Sequence, residues 1–162
     1  MIHIRPAGER DIPRVLAFIR ELARYERLEH EVIATEEALR TSLFGARPYA
    51  EVVLACLEDE PVGFALFFHN FSTFKGRPGI YLEDLYVRPE VRGRGVGRRL
   101  LEWLARTALE RSCARLEWAV LDWNAPSIAF YRGLGAQSMD EWRIFRLTGA
   151  ALERLGGARE TQ

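Results

Sequence analysis

Residues 81–97 read YLEDLYVRPEVRGRGVG, and the fold of the chain can be worked out from this stretch. Its first half reads as a strand over 80–87, and three glycines at every second position then lead into a helix that begins near Gly97. The first N–H groups of a helix have no partner within it, and glycines let a ligand approach the backbone closely. Because arginines stand at positions 92, 94, 98 and 99, the segment predicts an anion site, most often for phosphate.

The glycine spacing differs from that of two other phosphate-binding loops. Gly93-x-Gly95-x-Gly97 lacks the two residues before the last glycine of the dinucleotide fingerprint. No Lys-Ser/Thr pair follows it, as one does in the loops that bind nucleoside triphosphates. A plain glycine-rich turn with solvated arginines is the structural alternative to a binding loop.

A second motif lies in residues 122–136, which read DWNAPSIAFYRGLGA. Asn124 predicts a helix cap, Pro126 is tolerated in the first helical turn, and Gly135 stops the helix near Leu134. Together the two motifs closely resemble the coenzyme-contacting segments of the GNAT acetyltransferases, and the chain is identified as a member of that family. The resemblance implies acetyl-CoA as the cofactor.

Composition narrows the class of protein and its partners. The chain has 162 residues, of which 48% are hydrophobic, so we expect one domain with a sizeable core. The 23 basic and 23 acidic residues cancel, so neither nucleic acid nor an anionic membrane is an expected partner. Two cysteines and three scattered histidines predict no metal site, and the chain start has no apolar targeting segment. A cytoplasmic protein is the default prediction.

The remaining pattern predicts an α/β fold with a mixed sheet and helices on both faces. The GNAT resemblance implies that this central sheet is mostly antiparallel. Strands are predicted over 1–5, 49–57, 62–69, 80–87, 116–121 and 141–147, with a loop over 70–79. Helices are predicted over 11–25, from a Thr35 cap to 43, over 98–111, from an Asn124 cap to 134, and after Thr148. We expect one domain over 1–162, with a frayed tail over 156–162.

Five further segments narrow the resemblance to the diamine acetyltransferases, which include the spermidine/spermine and thialysine enzymes. They are residues 5–7, 21–26, 81–85, 123–127 and 141–145, and the similarity runs from residue 4 to about 152. It implies an N-acetyltransferase that acts on a primary amine of a polyamine or thialysine, by direct attack in a ternary complex. It also implies a homodimer. An amino acid, an aminoglycoside or a protein N terminus is an alternative acceptor, and a catalytically silent acyl-CoA sensor is the alternative class.

Acetylation of an amine needs one group that accepts a proton and one that returns a proton to the leaving thiolate. Glu83 is the base candidate, because neighbours on a strand point to opposite faces and the resemblance favours Glu83 over Asp84. A structural ion pair is the alternative for Glu83, and a buried structural carboxylate is the alternative for Asp84. Tyr131 is the acid candidate, with simple packing against Phe130 as its alternative.

The resemblance also implies a set of binding residues. Cofactor contacts are expected from Leu85, Tyr86, Val87, Arg92, Gly93, Arg94, Gly95, Val96, Gly97, Arg98, Asn124, Ser127 and Tyr131. Substrate contacts are expected from Tyr25, Glu26, Glu83, Trp118 and Glu141. The structural alternatives are a plain helix cap for Asn124, a core position for Trp118 and solvated charges for the acids.

Overall fold

The computed structural model describes residues 1–157. Its chain contacts divide it into two compact units, Met1–Leu121 and a second unit that begins at Asp122. The first unit contains the whole described sheet and three helices, and the second contains two helices.

The sheet of the first unit has five strands in the order of the chain. They are β1 (Ile2–Pro6), β2 (Glu51–Leu57), β3 (Glu60–Ser72), β4 (Arg77–Val87) and β5 (Leu116–Trp118). The first four pair antiparallel, and β5 pairs parallel with β4. Glu58 and Asp59 have φ angles of 49° and 71°, as the tight hairpin between β2 and β3 requires. The predicted mixed, mostly antiparallel sheet is confirmed.

Helices cover both faces of this sheet. They are α1 (Ile12–Tyr25), α2 (Glu36–Phe44) and α3 (Val96–Glu110). Phe18 of α1 stacks on Phe64, with ring centroids 5.7 Å apart, in a cluster that includes the even-numbered residues of β2. Successive strand residues face opposite ways, and Phe67 on the other face meets Trp103 of α3 at 5.9 Å. The Thr35 hydroxyl accepts a hydrogen bond from the amide of Ala38 (3.1 Å), which confirms the predicted cap of α2.

Most element boundaries in the first unit lie within a few residues of the prediction, and three segments show where the differences matter. The loop predicted over 70–79 is mostly strand, because the β3–β4 hairpin closes tightly through Gly76 (φ 64°) and a bond from the Lys75 amide to the Ser72 hydroxyl. The strand predicted over 116–121 ends at Trp118, where its pairing with β4 stops. Helix α3 starts at Val96, so its first turn includes Gly97.

The second unit contains α4 (Ala125–Gly133) and α5 (Gly149–Gly157). The strand predicted over 141–147 is wrong, because these residues form a turn and irregular backbone. A strand needs a neighbour for its backbone groups, and within residues 1–157 none pairs with this segment. The helix expected after Thr148 is present. The predicted tail is wrong at Gly156 and Gly157, which complete α5, and 158–162 lie outside the described residues.

Candidate active site

Strands β4 and β5, at one edge of the described sheet, separate after a short stretch of pairing. They pair only from Ile80 with Leu116 to Leu82 with Trp118, while β4 continues to Val87. The Arg88 amide donates to the Val62 carbonyl of β3 at 2.9 Å, so the backbone groups of Val87 point away from β3 by antiparallel alternation. Among the described residues, β4 therefore has an open edge beyond Leu82, where an extended ligand can form backbone hydrogen bonds.

The three residues of β4 expected to contact the cofactor differ in their orientation. Leu85 shares the outward direction of Val87, two residues away, so both have backbone groups at the open edge. Tyr86 points its carbonyl towards Gly63 of β3, and its ring is buried against Phe18 at 5.9 Å. The backbone of Tyr86 therefore bonds towards β3 and its ring packs against α1, so Tyr86 anchors β4 within the fold.

The glycine-rich loop has the conformation of an anion site. Gly93 and Gly95 have φ angles of 78° and 84°, and a Cβ atom at either would have no heavy atom within 4 Å. Helix α3 begins directly after Gly95, and no side chain of the described residues caps it. Its first N–H groups and the exposed Arg94 side chain are thus available to a ligand, while Arg98 is exposed but donates to Glu102. This donor set fits the pyrophosphate of coenzyme A, which is accessible, dianionic and needs N–H donors.

The side chain of Arg92 contacts the protein itself. Its Nε donates to the Val87 carbonyl at 2.9 Å. Its guanidinium carbon lies 5.0 Å from the ring centroid of Tyr25 and 5.7 Å from that of Tyr86. Arg92 therefore joins the loop to the end of α1, which sequence reasoning missed because the contact links residues far apart in the chain.

A β-bulge at Glu83 changes the argument that favoured it over Asp84. Asp84 pairs with Leu66 and Leu82 pairs with Phe67, so Glu83 is an extra residue without a partner across the β3–β4 ladder. Strict alternation fails at such a position, so alternation does not decide whether one or both of the two acids face the substrate. No glycine or proline marks this bulge in the sequence.

The bulge contributes to a cluster of three carboxylates, Glu26, Glu83 and Asp84. Burial and, to a smaller extent, the nearby charges of Glu83 and Glu26 together raise the pKa of Asp84 to about 7. The pKa of Glu26 is raised first by burial and then by Glu83. The three acids therefore repel one another, and a cation placed among them would relieve this repulsion.

The other expected substrate residues of the first unit lie near this cluster in the fold. Tyr25 is the last residue of α1, and Glu26 follows it, with its amide bonded to the Leu22 carbonyl at 2.9 Å. Trp118 ends β5 opposite Leu82, one residue before the bulge. Glu29 differs from Glu26, since it forms an ion pair with Arg24 at 3.0 Å that lowers its pKa.

The remaining expected site residues belong to the second unit. The Asn124 side-chain oxygen accepts from the Ser127 amide at 3.3 Å, so Asn124 caps α4 as its alternative reading predicted. Tyr131 lies on α4, with its ring 5.6 Å from that of Phe130. Glu141 is exposed on irregular backbone.

Within residues 1–157, no group of three or more His, Cys, Asp or Glu side chains is arranged to hold a metal ion. No helix in the same range is both long and apolar enough to span a membrane.

Known proteins resemble the chain over nearly its whole length. The family model of the GNAT acetyltransferases matches residues 15–136. The thialysine N-epsilon-acetyltransferase of Bos taurus is 42% identical, with 96% of this chain and 98% of the relative covered. The L-ornithine N5-acetyltransferase of Arabidopsis thaliana is 32% identical, with 94% and 86% covered. An integron cassette protein from the mobile metagenome of V. cholerae has a TM-score of 0.82 at 27% identity, with 97% and 98% covered. The chain therefore belongs to the GNAT family, and it is an acetyltransferase enzyme.

Proposed function

We propose that this enzyme transfers the acetyl group of acetyl-CoA to a primary amine of a small molecule that carries further positive charge, of the thialysine, ornithine or polyamine kind. The observation that carries the proposal is the cluster of Glu26, Glu83 and Asp84. The similarity to thialysine and ornithine acetyltransferases over most of the chain supports the same substrate class. Bound acetyl-CoA supplies an acyl group activated as a thioester.

The open edge of β4 and the glycine loop would hold acetyl-CoA. Leu85 would offer its backbone groups, and Val87 its amide, to an extended arm, because Arg92 already bonds to the Val87 carbonyl. The amides after Gly95 and the exposed Arg94 side chain would bind the phosphates, with Arg98, which is bonded to Glu102, as a further proposed contact. Asn124, Ser127 and Tyr131 complete the proposed contacts. The family match runs across the boundary at Asp122, which supports the proposal that 1–162 act as one domain.

The acid cluster would select a cationic amine. In the free enzyme, burial and mutual repulsion hold a proton near Asp84 at neutral pH. A second positive charge on the substrate offsets that repulsion, so a dication gains more from the cluster than an amine with a neutral tail. Tyr25, Trp118 and Glu141 are the further proposed substrate contacts.

The same cluster would accept the proton of the amine. A base works best when its pKa lies near the operating pH, and burial and repulsion bring the pKa of Asp84 to about 7. We propose that Glu83 at the bulge receives the proton and that Asp84 beside it shares this proton. The Oη atom of Tyr131 is the proposed donor to the leaving thiolate, since a phenol is protonated at neutral pH.

A panel of amines tests the proposal. We expect kcat/KM in the thiol-release assay to be at least tenfold higher for thialysine, ornithine or spermidine than for tyramine, whose tail is neutral. Replacement of Glu26 by Gln should narrow this ratio. Equal kcat/KM values for charged and neutral tails would contradict a role of the acid cluster in selection.

We also propose that the enzyme is a cytoplasmic homodimer, as the diamine acetyltransferase resemblance implies. Sedimentation equilibrium should give twice the chain mass of 18.6 kDa. A single-chain mass at micromolar concentration would contradict the dimer, and recovery of the protein in a membrane fraction would contradict the location.

A further inference from the structure

Arg92 bridges two parts of the candidate site that sequence reasoning treats separately. One part is the open edge of β4, where its Nε atom donates to the Val87 carbonyl at 2.9 Å. The other is the end of α1, where its guanidinium lies 5.0 Å from the ring centroid of Tyr25. The buried ring of Tyr86, at 5.7 Å, fixes the guanidinium from a third direction.

The end of α1 depends on such outside contacts. The helix closes in a Schellman motif, with the Leu28 amide bonded to the Ala23 carbonyl (2.8 Å) and the Arg27 amide to the Arg24 carbonyl (3.1 Å). This motif places Arg27 at φ 62°, a conformation that costs energy for a residue with a side chain. Strained backbone of this kind persists only where its surroundings hold it.

The contacts of Arg98, which follows the loop on α3, differ from those of Arg92. The Nε atom of Arg98 donates to Glu102, one turn further along α3, at 2.9 Å. That contact stays within one helix, whereas the Arg92 contacts connect the loop, β4 and α1. A change at the loop can therefore reach Tyr25, and Glu26 directly after it, through a single side chain.

We propose that Arg92 is a positioning residue that couples occupancy of the coenzyme loop to the order of the amine-binding end of α1. The inference rests on the proposed function, because it takes the loop as the coenzyme site and Tyr25–Glu26 as part of the amine site. A coenzyme that orders the loop also fixes the Arg92 side chain, which in turn holds the Tyr25 ring and the Schellman turn. The amine then binds to an end of α1 that is already ordered.

Hydrogen exchange measures this coupling without any turnover. Saturating coenzyme A should slow amide exchange over residues 22–28 of the wild type roughly fivefold. With Arg92→Gln, coenzyme A should still bind at saturation in a calorimeter, but this protection should be lost. Arg20→Gln removes an exposed arginine of the same helix and should behave as the wild type. Tyr25→Leu keeps every residue of the loop, removes the ring that Arg92 contacts, and should also lose the protection.

Kinetics provide a second measure. Arg92→Gln should raise the KM for the amine roughly tenfold at saturating acetyl-CoA, with a smaller change in kcat. In the Tyr25→Leu background the same replacement should have little further effect, because the two residues act through one contact. Independent, multiplicative effects would overturn the inference, as would unchanged protection over 22–28 when coenzyme A binds. Failure of the wild type to bind coenzyme A would instead refute the proposed function and the inference with it.

Discussion

Replacement of Asp84 by Asn should stabilise the enzyme at neutral pH, although it removes a residue of the proposed site. Burial, Glu83 and Glu26 raise the pKa of Asp84 from 3.8 to about 7 in the folded protein. A shift of this size corresponds to about 4 kcal/mol against the ionised form. Because Asp84 is not wholly buried and solvent screens part of the repulsion, we expect about 2 to 4 kcal/mol.

The sign of the effect sets its pH window. The folded carboxyl binds its proton more tightly than the unfolded one, so the contribution of Asp84 to the free energy of unfolding falls as the pH rises from about 4 to about 7. Below pH 4 both states are protonated, and wild type and Asp84→Asn should be nearly equal. Above pH 7 the wild type must hold an ionised, partly buried Asp84. The free energy of unfolding of Asp84→Asn should then exceed that of the wild type by about 2 to 4 kcal/mol.

Urea unfolding from pH 4 to pH 8 measures this difference. Glu37→Gln is the matched control, since Glu37 is exposed on α2. Its replacement should change the free energy of unfolding by less than about 0.5 kcal/mol at any pH. A constant difference between wild type and Asp84→Asn across this range would refute the reasoning. A variant less stable than the wild type at pH 8 would show that the ionised carboxylate has a stabilising partner.

Three further changes test separate parts of the site. Glu26→Gln should raise the KM of a dicationic amine several-fold more than that of tyramine, and equal increases would leave Glu26 as a solvated charge. Tyr131→Phe should lower kcat by roughly 100-fold with a much smaller change in coenzyme A affinity in a calorimeter, and a near-normal kcat would remove Tyr131 from the mechanism. Gly95→Ala should destabilise the protein by about 1 kcal/mol, since φ is 84° there, whereas Gly133→Ala within α4 should not. Equal effects of both alanines in urea unfolding would contradict the strained-loop argument.

Local chemistry made part of the structure predictable from the sequence. Thr35 and Asn124 cap their helices as expected, because a cap needs only the residue and the amides just after it. Gly93 and Gly95 have positive φ angles for a similarly local reason, since the loop must turn tightly before α3. Strands that are consecutive in the chain are neighbours in the sheet, and the β2–β3 and β3–β4 hairpins need only short connections.

Features set by distant residues were not predictable in this way. The bulge at Glu83 is a matter of register between two strands, and the sequence there contains no glycine that would mark it. The Arg92–Tyr25 contact joins a loop to a helix across the fold. The sequence of 141–147 is typical of a strand. A segment forms a strand only where a neighbouring strand pairs with its backbone groups, and none does so here within residues 1–157.

Release of free thiol from acetyl-CoA in the presence of thialysine, with the amine product identified by mass spectrometry, tests the proposed reaction as a whole. The account predicts that free coenzyme A and N-acetylated amine form in equal amounts, and that the rate rises with pH through the titration of Asp84 near pH 7. Tight binding of coenzyme A with no acetylated product from any cationic amine would contradict it and would favour an acyl-CoA sensor.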